Sequence, residues 1–118
     1  MRELEAVGPE NWEAFINSEP VAVLMLGKSD CEACAAWTAE LSAFLETVGE
    51  RFPGVRFGKM NLKQPGLLHY KKRSPWLAEV DVLPYNVLYV KGEPVKQYAG
   101  GGIDRLTNRL EGILEDAG

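Results

Sequence analysis

Cysteine is scarce in this 118-residue chain: there are two, Cys31 and Cys34. Two cysteines cannot build the multi-bridge framework that staples small secreted domains. Histidine is scarcer still, with His69 alone. No second Cys-x-x-Cys follows the first, so a tetrahedral zinc site would need carboxylates or another chain for its remaining ligands. Long hydrophobic runs are missing. The longest, Val21 to Leu26, is far below the roughly 18 residues of a membrane span. Met1-Arg2-Glu3-Leu4-Glu5 mixes charges of both signs with no apolar h-region behind it. Neither a secretory leader nor a membrane segment is therefore expected, and a soluble, cytoplasmic protein is the default. Basic character is also thin: net charge is −4, and only Lys71-Lys72-Arg73 places basic residues side by side. That trio suits a solvated helix end, and without a basic stripe interleaved with aromatics nucleic acid is not an expected partner. No repeat, low-complexity stretch or linker divides the chain, so residues 1–118 are expected to form a single domain.

What is present has globular proportions, 46% apolar and 25% charged residues, which argues against disorder. After Gly8-Pro9, a helical pattern puts Trp12, Phe15 and Ile16 on one face. Val21 to Leu26 has strand length and no alternation, as a strand covered on both faces would. A short loop, Gly27 to Asp30, leads into the longest helical pattern. There Trp37, Leu41, Phe44, Leu45, Val48 and Phe52 recur at helical spacing, up to the stop at Pro53-Gly54. Val55 to Asn61 suits a second strand, with Val55, Phe57 and Lys59 pointing one way. Pro65 to Val80 suits a broken helical region that restarts at Ser74-Pro75. Tyr85 to Lys91 suits a third strand. Gly92-Glu93-Pro94 then turns the chain, and Val95 to Tyr98 returns antiparallel. Asp104 is placed to cap a last helix with Leu106, Leu110, Ile113 and Leu114 on one face. The order implies an α/β fold, a central mixed sheet of about four strands with helices on both faces.

The chemistry gathers at Cys31-Glu32-Ala33-Cys34. Ser29-Asp30-Cys31-Glu32 matches a capping box with Ser29 at the N-cap and Glu32 at N3, which puts Cys31 in the first turn of the long helix. Cys34 follows one turn on, roughly 5–6 Å away between Cβ atoms, a spacing that suits reversible disulfide formation. The helix N-terminus offers unpaired N–H groups and partial positive charge, favouring a thiolate at Cys31. Cys31, nearer the end, is the better nucleophile, and Cys34 is placed to resolve a mixed disulfide. Half of a shared zinc site and two inert buried residues are the competing readings; the strand-loop-helix setting favours redox chemistry.

These residues carry a resemblance. The chain resembles the thioredoxin family from about Pro9 to Ala117, through the Cys31-Cys34 motif at a helix start and Lys59-Met60-Asn61 closing the next strand. Leu83-Pro84-Tyr85 opening a strand, Lys91-Gly92-Glu93 and Gly100 continue the likeness. The resemblance implies that Pro84 is cis and faces the cysteines, with Leu83 and Tyr85 beside it binding substrate in extended form. It also implies that Gly100 lines the groove. An ordinary edge proline is the alternative at Pro84, since a proline at the first residue of a strand forfeits no ladder bond.

The departures are as informative. Thioredoxins usually carry an acid six positions before the first cysteine, where this chain has Met25, so rapid proton handling at Cys34 is not assured. Lys59 stands at its family position and either tunes a nearby thiolate or is a solvated strand residue. Asp30 replaces the family tryptophan and Glu32-Ala33 the Gly-Pro pair. Two carboxylates beside Cys31 oppose the helix dipole. The helix proline beyond the second cysteine is replaced by Ala39. A longer stretch near Lys72 to Glu79 contains Trp76, which with Tyr85 either widens a partner surface or packs. His69 is expected at the surface. The implied function is thiol–disulfide exchange with a disulfide-bearing protein or small thiol as substrate and a reductase or thiol as electron donor. Neither a cofactor nor a metal is implied, and a monomer is expected. A binding module on the same fold with little turnover is the alternative.

Overall fold

A computed structural model describes residues 3–18, 20–48 and 51–117. The chain runs β1 (Glu5–Ala6), α1 (Trp12–Ile16), β2 (Ala22–Gly27), α2 (Glu32–Val48), β3 (Arg56–Asn61), α3 (Leu68–Arg73), a 3₁₀ turn (Pro75–Glu79), β4 (Tyr85–Val90), β5 (Glu93–Ala99) and α4 (Ile103–Ala117). The sheet order is β1-β3-β2-β4-β5. β2 runs parallel to β3 and antiparallel to β4. The sheet thus has five strands instead of about four. The addition is β1, whose two residues pair with Gly58 and Lys59 and are too few to show any alternation. Met1 and Arg2 lie outside the described residues.

β2 is buried at every position, and its alternate residues feed two cores. Val23 and Met25, with Val21 just before the strand, face Trp37, Leu41, Phe44 and Leu45 of α2 and Leu106, Leu110 and Ile113 of α4. Ala22, Leu24 and Leu26 face Trp12, Phe15 and Ile16 of α1 and Tyr70 of α3. Each large apolar side chain so covered contributes about 1.5–3 kcal/mol, which is what keeps the central strand fixed under its helices.

Several boundaries differ from the sequence expectation. α2 ends at Val48, not near Phe52; Phe52 is buried beyond the helix, its ring centroid 6.4 Å from that of Phe44. The side chain of Val48 lies outside the described residues. The segment after Ser74 is a 3₁₀ turn with Pro75 at its start, and Ser74 makes no side-chain capping bond. The β4–β5 turn is Lys91-Gly92 alone, both at positive φ, 52° and 83°, as a two-residue hairpin requires. β5 therefore begins at Glu93 and includes Pro94, which is tolerated because β5 is an edge strand. α4 starts at Ile103, so Gly102 stands at its N-cap and Asp104 inside the first turn. The Leu106 N–H bonds the Gly102 carbonyl at 3.2 Å.

Candidate active site

α2 positions the cysteines through its buried stripe. Cys34, Trp37, Leu41, Phe44 and Leu45 recur at helical spacing and all face the core. Cys34 opens that stripe and is 2% exposed. Cys31, one turn earlier, stands just before the first helical residue, Glu32. Its carbonyl accepts the first helical bond, from the Ala35 N–H at 3.0 Å. Its Sγ accepts the Cys34 N–H at 3.1 Å. Cys31 is therefore the N-cap, and its sulfur does what a capping hydroxyl ordinarily does. The expected capping box does not form. Ser29 and Asp30 lie exposed in the preceding turn, because helix α2 begins three residues after Ser29. Cys31 and Cys34 are joined by a disulfide, with Cα atoms 5.2 Å apart. Cys31 is half-buried and Cys34 buried, so of the two cysteines Cys31 is the one that keeps surface in solvent.

Gly27, the last residue of β2, allows this closeness. A Cβ there would lie 3.2 Å from Cys34 Sγ and 3.5 Å from Met25 Cε. Opposite the pair, the Leu83–Pro84 peptide is cis, and the Leu83 carbonyl oxygen lies 3.9 Å from Cys31 Sγ. Pro84 is buried, while Leu83 and Tyr85 are half-buried. The Gly100 N–H donates to the Pro84 carbonyl at 2.8 Å, so Gly100 adjoins this segment.

No protein-family model matches the sequence, and no curated protein matches it. Solved structures do. Thioredoxin f from spinach chloroplast (short form) superposes with a TM-score of 0.74 at 17% identity, covering 94% of this chain and 93% of its own. A thioredoxin from Malassezia sympodialis gives 0.73 at 12% identity, with 94% and 90% covered. Thioredoxin from Trypanosoma brucei brucei gives 0.72 at 17% identity, with 96% and 92% covered. The chain has the thioredoxin fold.

On this thioredoxin frame the remaining sequence candidates separate. Met25 is fully buried and pairs in register with Lys59 on β3 and Asn86 on β4. Thr38 donates its hydroxyl to the Cys34 carbonyl at 2.8 Å and approaches Met25 Sδ at 3.6 Å. Lys59 is half-buried and lines an open cleft of about 780 Å³ with Thr38, Ser42, Asn61 and Gln64; among the described residues no side-chain hydrogen bond joins it to a cysteine. Trp76 and Tyr85 stack at 6.1 Å between centroids, half-buried against the α1 side of the core, and the Tyr85 hydroxyl donates to Gln97 Oε1 at 2.9 Å. His69 is exposed on α3. Among the described residues no three His, Cys, Asp or Glu side chains cluster as metal ligands, and no helix is long and apolar enough to cross a membrane.

Asn86 is not among the residues that sequence pattern singles out. It is 1% exposed, and its amide joins three segments around the pair. Oδ1 accepts from Trp37 Nε1 at 2.8 Å, and Nδ2 donates to the Gly100 carbonyl at 2.7 Å and the Tyr98 carbonyl at 3.4 Å. Trp37 lies one turn beyond Cys34. The network thus ties α2 to β4 and to the Gly100 loop. A lone amide beside the apolar run Val87-Leu88-Tyr89-Val90 is the signal the sequence offers, since a buried amide must find partners.

Proposed function

We propose that the chain is a thiol–disulfide oxidoreductase that reduces protein or small-molecule disulfides through a Cys31/Cys34 cycle. One observation carries this reading: a bridged pair in which the N-cap cysteine is half-buried and its partner, one turn deeper, is buried. In the reduced form the bond from the Cys34 N–H and the helix N-terminus favour negative charge on Cys31 Sγ. The Cys31 thiolate attacks one sulfur of a substrate disulfide. A Cys31–substrate bond forms, the substrate S–S bond breaks, and the departing thiolate keeps the electron pair. Cys34 then gives up its proton and attacks Cys31 Sγ. The mixed disulfide breaks, a second substrate thiolate leaves, and the chain is bridged. Two electrons have passed to the substrate, and a reductase or small thiol must return them. Sulfur carries the electrons, so no bound cofactor enters the cycle.

Leu83 and Tyr85, either side of Pro84, are proposed as substrate contacts, and Lys59 and Gly100 as tuning residues. The cytoplasm, which keeps thiols reduced, is the proposed compartment, and the monomer the proposed working form. The test is disulfide reduction with dithiothreitol as donor, comparing the native chain with Cys31→Ser and Cys34→Ser. Loss of turnover in the first and an accumulating mixed disulfide in the second are expected. Equal rates for native chain and Cys31→Ser would sink the proposal.

Met25 favours a second reading, a binding module with slow turnover. Apolar burial beside Cys34 leaves its proton without the carboxylate that thioredoxins place there. Tight binding of a partner with unchanged affinity after Cys31→Ser would support that reading.

A further inference from the structure

Half-buried Cys31 sits between two acids in the chain. Asp30 and Glu32 are both exposed, and neither carboxylate has an ion-pair or hydrogen-bond partner among the described residues. Across the groove, the segment that brings the Leu83 carbonyl to 3.9 Å from Cys31 Sγ carries Glu79 and Asp81, also exposed and unpaired among the described residues. Of the bases around the pair, Lys28 shares the loop that leads to Cys31, Lys63 and Lys71 lie beside Leu83, Lys59 is on β3, and Arg105 is held on the Gly100 loop by the Ala99 and Gly101 carbonyls. Val82, 52% exposed, adds apolar surface beside Leu83.

We propose that Asp30 and Glu32 are specificity-determining residues that select disulfides carrying positive charge beside the sulfur and disfavour anionic ones. In a protein substrate, these are disulfides flanked by lysine or arginine. The inference rests on the exchange reading above and names its substrate class. The acids bind nothing by themselves; the reactive sulfur between them is the site.

Substrate sulfur must come within bonding distance of Cys31 Sγ. Asp30 and Glu32 each adjoin Cys31 in the chain, with Cα atoms about 3.8 Å from its own, so we take a charge a few bonds from that sulfur to lie on the order of 8 Å from their carboxylates. At that range in water each charge pair changes the population of the encounter roughly twofold. Two acids, attracting one sign and repelling the other, separate cationic from anionic substrates about tenfold at low ionic strength. The separation shrinks as the screening length falls to about 8 Å at physiological salt and lower beyond it. The same acids disfavour the Cys31 thiolate, but that handicap is common to every substrate and cancels in a ratio of rates.

Cystamine, hydroxyethyl disulfide and dithiodipropionate are of similar length and carry ammonium, hydroxyl and carboxylate ends. Single-turnover oxidation of the prereduced chain by each, at low salt, gives the ratio of cystamine to dithiodipropionate rates. That ratio is expected to fall about tenfold in Asp30→Asn/Glu32→Gln; comparing the same ratio in both chains also cancels differences between the leaving thiols. Raising salt should lower it in the native chain, a test that needs no variant. A ratio unchanged by both the double substitution and salt, with hydroxyethyl disulfide still reacting, overturns the charge preference alone. No reaction with hydroxyethyl disulfide overturns the exchange reading and the preference with it.

Discussion

Replacing Asn86 by leucine removes three hydrogen bonds at almost constant volume, and the cost follows from what is stranded. Trp37, itself 2% exposed, is left with an indole N–H that has lost its 2.8 Å acceptor. An unsatisfied buried donor costs about 1–3 kcal/mol. The Gly100 carbonyl loses its 2.7 Å partner but is half-buried, so water recovers part of that loss. The Tyr98 carbonyl loses only a long bond of 3.4 Å. Burying a leucine in place of an amide returns some stability. The expected balance is a loss of about 2–4 kcal/mol. Urea unfolding of the oxidised chain measures it, with an unchanged m-value expected. A double-mutant cycle sharpens the test. In a Trp37→Phe background no indole N–H remains to strand, so Asn86→Leu should cost less there, by about 1 kcal/mol or more. Additivity within about 0.5 kcal/mol, or a single-variant cost under about 1 kcal/mol, would refute the idea that this amide is the tie between α2 and the Gly100 loop.

The other predictions concern two buried tyrosines and two residues beside Cys34. Burial pushes the phenols of Tyr89 and Tyr98 up to about 12. The unfolded chain therefore loses these protons at lower pH than the folded chain does. Stability is fully present below about pH 10 and falls by roughly 2–3 kcal/mol per tyrosine as pH rises to about 12; urea unfolding at stepped alkaline pH measures the fall. The Tyr98 hydroxyl is buried and meets no hydrogen-bond partner among the described residues, with Arg105 and Arg109 over its ring at 4.8 and 4.3 Å. Tyr98→Phe should therefore be neutral or stabilising by about 1 kcal/mol and should flatten the alkaline decline; a loss above about 2 kcal/mol contradicts this. Met25→Asp should speed the second, intramolecular step at neutral pH about tenfold while costing about 3 kcal/mol for a buried carboxylate. Stopped-flow release of the second substrate thiol reads the rate, and no acceleration would mean that the Cys34 proton does not limit that step. Gly27→Ala crowds Cys34 Sγ at 3.2 Å and should destabilise the bridged form by about 1–3 kcal/mol. A redox titration read by thiol alkylation should show the shift, and an unchanged midpoint would mean that the strand end yields instead.

Patterns that depend on neighbours along the chain are legible in the residue order. The stripe through Trp37, Leu41, Phe44 and Leu45 follows from helical spacing, and the unbroken apolar run of β2 from burial on both faces. A Cys-x-x-Cys between those two elements marks the site. Local pattern misplaces the start of α2, because Ser29 and Glu32 satisfy a capping box between themselves. The folded chain instead caps α2 with Cys31, whose sulfur accepts the Cys34 N–H and is bridged to Cys34. β1 and the strand position of Pro94 stay hidden, because two paired residues show no period and an edge proline looks like a turn. Asp104 looks like a cap because an acid preceding a helical pattern is a good one, yet a glycine holds that position.

Residue order determined which segments are helix and strand, which faces turn inward, and that two cysteines stand one helical turn apart. It did so because those properties arise from periodicity and local hydrogen bonding. Only the folded chain decided that the Cys31 sulfur itself caps α2, how near the Leu83 carbonyl comes to it, and which amide ties the walls together. Leu83 reaches Cys31 across 52 positions of sequence, and Asn86 reaches Trp37 across 49. No local pattern encodes such distances; the packing of β4 against β2, under α2, sets them.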